Sequence, residues 1–284
     1  MSTNPNRLDA DAKHEFGGVE LDRTKPLSFR VDGHRVHGYQ GDTVLSALLA
    51  SGIIGAGAED GSELGLDERF APPLVAARAG DRTTTPLPPE RTPALDGFDL
   101  VSMGNGGART LGDRVLRRAV HSLGHRFQGS PLLQPWVRLA PAESAEADLV
   151  IVGGGVAGLS AAELAGAPGR KVIVIERRPW LGGDARYFGP VGNDETPEAI
   201  ETRLIARLSG MDNIRIWTAT EAFDVAGGAV SVHRVEIVDG KPVARVIRIA
   251  AHNVILATGA IQRLPVFAGN RLPGVVGSAA AYHR

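Results

Sequence analysis

Hydrophobic and polar positions fall into distinct regimes along the chain. Over residues 26–31, Pro26-Leu27-Ser28-Phe29-Arg30-Val31, apolar and polar side chains alternate with the period of two expected of a strand with one buried face. Asp32-Gly33 follows as a two-residue turn and residues 34–39 read as the returning strand, so the pattern predicts a β-hairpin. Gly41-Asp42-Thr43 then precedes Val44-Leu45-Ser46-Ala47-Leu48-Leu49-Ala50, a short helix that Asp42 or Thr43 can cap and that Gly52 can close in a left-handed conformation. A hairpin followed by a helix predicts a small β-grasp-like unit over residues 16–58.

The pattern then dissolves. Residues 57–107 are rich in Gly, Pro, Asp and Thr and read as an irregular, surface-running connector. Residues 111–127 regain helical periodicity, with Val115, Leu116, Ala119, Val120 and Leu123 on one side and Arg114, Arg117, Arg118, His121 and Arg126 on the other. Its basic face is expected to meet solvent or a partner, because the charge is confined to this one element. His121 and His125 lie one turn apart, but no third ligand or HExxH pattern accompanies them, so no metal site is expected. The Pro-flanked residues 131–141 read as a linker. Residues 59–146 are therefore expected to form a connector with one amphipathic helix.

From residue 147 to 284 the pattern is regular α/β. Asp148-Leu149-Val150-Ile151-Val152 has the apolar continuity of a strand buried on both faces. Gly153-Gly154-Gly155-Val156-Ala157-Gly158 follows at once, and the next residues read as a helix of small side chains. At this spacing Gly153 permits a tight turn, Gly155 lets the main chain approach a pyrophosphate, and Gly158 lets the helix pack close to the strand. The free amides and positive end of that helix, opened by Val156 and Ala157, would hold the anion. Lys171-Val172-Ile173-Val174-Ile175 is a second buried strand ending in Glu176, where a carboxylate can accept hydrogen bonds from both ribose hydroxyls of an adenosine. Arg177, next to it, is a candidate cofactor contact, but Glu176 would repel a 2′-phosphate, which disfavours NADP. Gly182 and Gly183, after Leu181, form a turn able to pass near the phosphates.

Residues 214–217, 221–225, 230–238 and 243–249 then read as consecutive strands with Gly227-Gly228 and Asp239-Gly240 as turns: a β-meander inserted in a parallel α/β pattern. Asn253-Val254-Ile255-Leu256-Ala257 reads as one more buried strand, ending in Thr258-Gly259. The meander separates a flavin-type site from a plain NAD fold. The expected class is thus an FAD/NAD(P)-binding Rossmann-like α/β domain preceded by a small ferredoxin-like unit.

Composition narrows the chemistry. With 284 residues, a net charge of −1 and 36 glycines, nothing global points to nucleic acid or an anionic membrane. There is no cysteine, which excludes disulfides, thiolate-ligated zinc and cysteine-ligated iron–sulfur clusters within this chain. Residues 1–13 are polar, and no apolar run is long enough to span a bilayer, so a cytoplasmic protein is expected.

On these residues the chain resembles the α subunit of heterotetrameric sarcosine oxidase and the flavoprotein subunits of dye-linked amino- and imino-acid dehydrogenases. The resemblance is carried by Arg23-Thr24-Lys25-Pro26-Leu27-Ser28-Phe29, by residues 41–52, by the turn at Gly153, and by Ala257-Thr258-Gly259-Ala260 through Pro273-Gly274-Val275. Residues 62–147 match poorly, and the chain lacks the longer aromatic and basic segment that the family carries after Gly52. The resemblance implies that Gly153, Gly155, Gly158, Glu176, Gly183 and the Thr258-Gly259 turn line FAD, with NAD as the alternative, and that the main chain at Ala222 meets the adenine. It also implies partner subunits, on one of which amine oxidation takes place, so no catalytic residue is expected here. Full-length members continue into a second nucleotide domain and return to finish the first. The domain is therefore expected to be incomplete where this chain stops at Arg284, leaving a half-open flavin site.

Overall fold

The computed structural model describes residues 6–7, 21–57, 63–67, 71–76, 85–103, 127–128, 134–185, 194–260, 266–270, 272 and 274–277. The chain divides into two compact units, residues 1–142 with 235–246, and residues 143–234 with 247–284. The basic helix expected over residues 111–127, with His121 and His125, lies outside the described residues except at its end. There, Phe127–Gln128 is a short strand.

The first unit is built on the predicted hairpin. Strands β1 (Asp22–Val31) and β2 (His34–Gln40) pair antiparallel. Asp32 and Gly33 both take positive φ, 50° and 83°, the geometry whose twist suits a two-residue hairpin. Phe29, Val31 and Val36 are buried, as are Val44, Leu45, Ala47, Leu48 and Ala50 of helix α1 (Val44–Ala50). Thr43 caps that helix in a reciprocal box with Ser46. Asp42 is instead buried, accepting from the Tyr39 backbone N–H at 2.8 Å, the Ser46 hydroxyl at 2.6 Å and the Arg7 guanidinium at 2.8 Å.

The segment expected as an irregular connector contributes strands. β3 (Gly55–Gly57), β4 (Glu63–Gly65) and β7 (Phe127–Gln128) form a small sheet in the order β4-β3-β7. β5 (Leu74–Ala76) and β6 (Asp99–Ser102) extend the hairpin into a four-stranded sheet ordered β2-β1-β6-β5, with β6 parallel to β1. The Arg30 and Asp32 amides donate to the carbonyls of Phe98 and Leu100 at 2.7 and 2.9 Å. The first and last strands of this sheet, β1 and β6, are parallel and lie at its centre. Strands of three or four residues are too short to show a period, and they form because β1 offers an unpaired edge. The expected linker is likewise anchored: residues 135–138 make a turn of 3-10 helix that buries Trp136 beneath the Arg91 guanidinium, 5.0 Å from the ring centroid.

In the second unit, β8 (Glu143–Val152), β9 (Val172–Ile175) and β10 (Ile214–Trp217) are successive parallel neighbours in one sheet, connected through helix α2 (Val156–Gly166) and helix α3 (Pro197–Leu208). α3 starts at a Thr196 cap with Pro197 in the first turn. β11 (Thr220–Ala226), β12 (Ala229–Val238) and β13 (Lys241–Leu256) follow, giving the order β10-β9-β8-β13-β12-β11. Leu149, Ile151, Val172 and Val174 pack with Leu159, Ala162, Leu204 and Leu208 of the helices, while Val150, Ile173 and Ile175 pack with Trp217, Val230, Val232, Ile247 and Ile249. Burial on both faces is what the uninterrupted apolar runs predict.

The strands expected over residues 243–249 and 253–257 are one. β13 is continuous because β8 is longer than its apolar run suggests, so their parallel ladder holds from Ile247↔Glu143 to Leu256↔Val152. Midway along that ladder the Asp148 carboxyl sits below the ordinary carboxylate range, held there chiefly by the Lys171 backbone N–H and further by His252. Among the described residues, no helix is long and apolar enough to cross a membrane.

The hairpin turn also ties β6 in place, since the Asp32 carboxylate accepts from the Ser102 amide at 2.8 Å and from its hydroxyl at 2.7 Å. Asp32→Ala loses both bonds and sets a β-carbon without side-chain compensation at positive φ. It is expected to destabilise this unit by about 2 kcal/mol in urea unfolding, with Asp32→Asn costing roughly half as much.

Candidate functional site

The parallel strands β10, β9, β8 and β13 end in register at Trp217, Ile175, Val152 and Leu256. The edge beyond their carboxyl ends is where an open α/β sheet binds ligands. Gly153 leaves β8 at φ 116°, and its amide donates to the Ile175 carbonyl at 2.8 Å. A Cβ on Gly153 would lie 2.1 Å from the carbonyl oxygen of Ala257, and one on Gly158 would lie 1.9 Å from that of Gly153. Neither position has room for any side chain.

Gly155 differs. It is the N-cap of α2, with no side-chain cap, and its φ of −76° suits any residue. A Cβ there would meet nothing nearer than the Gly182 carbonyl at 3.9 Å. A Cβ would fit over this glycine at van der Waals distance from the Gly182–Gly183 turn, and the first amides of α2 at Val156 and Ala157 face a helix end that no side chain satisfies. A bare helix N-terminus fronted by an uncrowded glycine is the geometry that admits a diphosphate.

Glu176 is buried beside this loop. One carboxylate oxygen accepts from the Gly154 amide and the other from the Arg178 amide, each at 2.7 Å. Two carboxylate oxygens offer about four acceptor sites, so one remains on each for a sugar hydroxyl. A Cβ on Gly154 would press on Glu176 at 2.9 Å and on Leu181 at 2.8 Å, so glycine is required there for the carboxylate to come close. The Gly182 amide donates to the Gly154 carbonyl at 2.8 Å, and Gly182 bridges Gly155 in parallel fashion. Gly182 and Gly183 take φ of 92° and 62°, and a Cβ on Gly183 would lie 3.4 Å from the Gly155 Cα.

The structure thus brings Gly153, Gly154, Gly155, Val156, Ala157, Gly158, Glu176, Gly182 and Gly183 to one edge. The Thr258 amide joins them through Gly153, 3.2 Å from its Cβ position, with Gly259 next in the chain at φ 72°. β11 starts beside Glu176, whose carbonyl accepts from the Thr220 amide at 2.9 Å, and Ala222 lies two residues further along that strand. Arg177 is half-buried, and it is the next residue that builds the loop. The Arg178 amide fixes Glu176, its carbonyl accepts from Ala219, and its guanidinium pairs with Asp184 at 2.7 Å, closing the segment that carries the two glycines. Neither Asp184 nor Glu201 was among the expected site residues, and the one signal that could have found Glu201 is a carboxylate at helical spacing from Leu204 and Leu208.

The order of elements and this edge are those of a Rossmann-like α/β domain of the FAD/NAD(P)-binding type, which follows a ferredoxin-type unit in the chain. Residues 147–283 match the family Pyridine nucleotide-disulphide oxidoreductase, and residues 24–56 match the family 2Fe-2S iron-sulfur cluster binding domain. Over most of its length the chain is similar to sarcosine oxidase α subunits. It is 30% identical to that of Rhizobium meliloti (strain 1021) over 90% of this chain, and 26% identical to that of Corynebacterium sp. (strain U-96) over 98%. It spans only 30% and 28% of the lengths of those two relatives. Among solved structures, L-proline dehydrogenase from P. horikoshii superposes with a TM-score of 0.52 at 26% identity, covering 88% of this chain and 44% of the other.

The second family's name implies an iron–sulfur cluster. The residues do not fit one: the chain has no cysteine, and a [2Fe–2S] centre takes at least two cysteine thiolates even where histidines replace the others.

The glycines divide into those that the fold requires and one that it does not. Gly153→Ala and Gly158→Ala are expected to lower the unfolding free energy by about 3 kcal/mol or more, because backbone oxygens must move aside. Gly155→Ala should stay within about 1 kcal/mol of the parent in the same urea titration.

Proposed function

We propose that this chain is the FAD-binding part of a sarcosine-oxidase-like oxidoreductase acting on secondary amines or amino acids, and that it works with partner subunits in the cytoplasm. The observation that carries the reading is that Gly155 alone of Gly153, Gly154, Gly155 and Gly158 has room for a Cβ, at van der Waals distance from the Gly182–Gly183 turn, while the other three are packed shut. The α2 amides would hold the diphosphate, Glu176 would take the ribose hydroxyls, and the Gly182–Gly183 and Thr258–Gly259 turns would pass along the cofactor. Ala222 would offer its main chain to the adenine, and Arg177 would lie at the rim. The match to the pyridine nucleotide-disulphide oxidoreductase family and the resemblance to sarcosine oxidase α subunits support FAD, with NAD as the alternative in the same cradle.

When bound, a flavin would supply the redox chemistry of this chain as an acceptor of reducing equivalents. The residues of this chain bind and orient it. Glu176, held by two backbone amides, presents acceptors to the sugar without a side-chain rearrangement. No general acid or base is assigned here. Partner subunits are supported by the relatives' being named as subunits, and a reducing compartment by the absence of cysteine.

Native mass spectrometry of the purified chain, alone and co-expressed with its gene neighbours, tests the reading. Bound FAD is expected, and Gly155→Val should remain folded by circular dichroism yet carry none, because the branched side chain fills the approach of the diphosphate. Glu176→Ala should weaken FAD binding by roughly 10- to 100-fold, the loss of charge-assisted hydrogen bonds. Bound NAD would move the assignment to the alternative. Folded parent protein that takes up neither dinucleotide but still binds a partner would make this a non-catalytic assembly subunit.

A further inference from the structure

Helix α3 carries a carboxylate where its packing calls for an apolar side chain. Glu201 stands at helical spacing from Leu204 and Leu208, and all three are buried. Its carboxylate lies directly against Gly182. A Cβ on Gly182 would come within 2.0 Å of the Glu201 carboxyl carbon and within 2.3 Å of either oxygen. Gly183 points elsewhere, its Cβ direction meeting the Gly155 Cα at 3.4 Å. The turn is therefore a thin wall of main chain, with the glycine-rich loop on one side and a buried carboxylate on the other. The Gly182 amide donates to the Gly154 carbonyl at 2.8 Å and Gly182 bridges Gly155, which joins wall to loop.

A leucine at position 201 would continue the apolar stripe without the desolvation that a buried carboxylate entails. The shape of the contact explains the exception. The carboxyl group can enter only because residue 182 has no Cβ, and the φ of 92° at Gly182 turns the vacant Cβ direction onto it. Helix and turn are thus fitted to each other at a point that the glycine-rich loop also touches.

We infer that Glu201 is the positioning residue of the Gly182–Gly183 turn. It presses the turn against Gly154 and Gly155 and so sets the width of the cradle for a cofactor diphosphate. The first half concerns the chain alone, and the second rests on the dinucleotide reading above.

Hydrogen exchange of the full-length chain, resolved at the Gly182 amide, tests the first half, and FAD titration tests the second. Glu201→Ala is expected to speed exchange at Gly182 by about tenfold or more while the β8 and β9 amides keep their protection. Glu201→Gln, which keeps the shape and an acceptor oxygen, should restore exchange to within about twofold of the parent. FAD affinity should fall about tenfold in the alanine variant and recover in the glutamine variant. Unchanged exchange at Gly182, or a rise spread evenly over β8 and β9, overturns the positioning role. A local rise without any change in FAD affinity overturns the link to the cradle. A parent protein that binds no FAD sinks the dinucleotide reading alone, since exchange still decides the role of Glu201.

Discussion

At the end of β8 stretches of main chain meet with no side chain between them. The Ala257 carbonyl closes over Gly153, and the Gly153 carbonyl closes over Gly158, at separations that a single methyl group would break. This contact fixes the direction in which α2 leaves the sheet and hence where its N-terminal amides point. It also locks the end of β13 beside the turn, so that Thr258 and Gly259 share the edge with the glycine-rich loop. The apolar packing beneath, from Leu149 and Ile151 to Leu159 and Leu204, supplies the cohesion, but the backbone contact sets the geometry.

Glu176 couples that geometry to the second strand. Its carboxylate reaches back to the Gly154 amide and forward to the Arg178 amide, so the loop after β8 and the loop after β9 are bonded through a single side chain. A carboxylate held by charge-assisted bonds in a buried place is well oriented for further donors, which is the property a ribose-binding group needs. Arg178 then ties its own loop to Asp184 and to the start of β11 through Ala219. The exposed ion pair contributes little stability, and its effect is to limit where the two glycines of the intervening turn can go.

Among its described residues, the ferredoxin-like unit is held by apolar packing and by local hydrogen bonds. The family that residues 24–56 match is named for an iron–sulfur cluster, yet this chain has no thiolate to offer. Phe29, Val31, Val36, Leu45, Leu48 and Leu100 form its buried interior, and the Asp42 carboxylate is held by Tyr39, Ser46 and Arg7. The helix cap, the hairpin turn and the parallel β6 reinforce one another through local bonds.

Features whose physics is local were legible in the sequence. Alternation at residues 26–31, the Asp32-Gly33 turn, the continuous apolar runs of β8 and β9 and the glycine spacing each depend on neighbours a few residues away, and each specified its element. The reading of Glu176 as the acid at the end of the second strand also needed only strand length. Tertiary structure decided whatever depends on a partner distant in sequence. The short strands β5 and β6 exist because β1 presents an open edge, and β13 runs unbroken because β8 extends to meet it. Glu201 and Asp184 became part of the site only when folding laid α3 and the loop after β9 against the same pair of glycines. Periodicity reports which face of an element is buried, whereas the chain topology alone selects what that face is buried against.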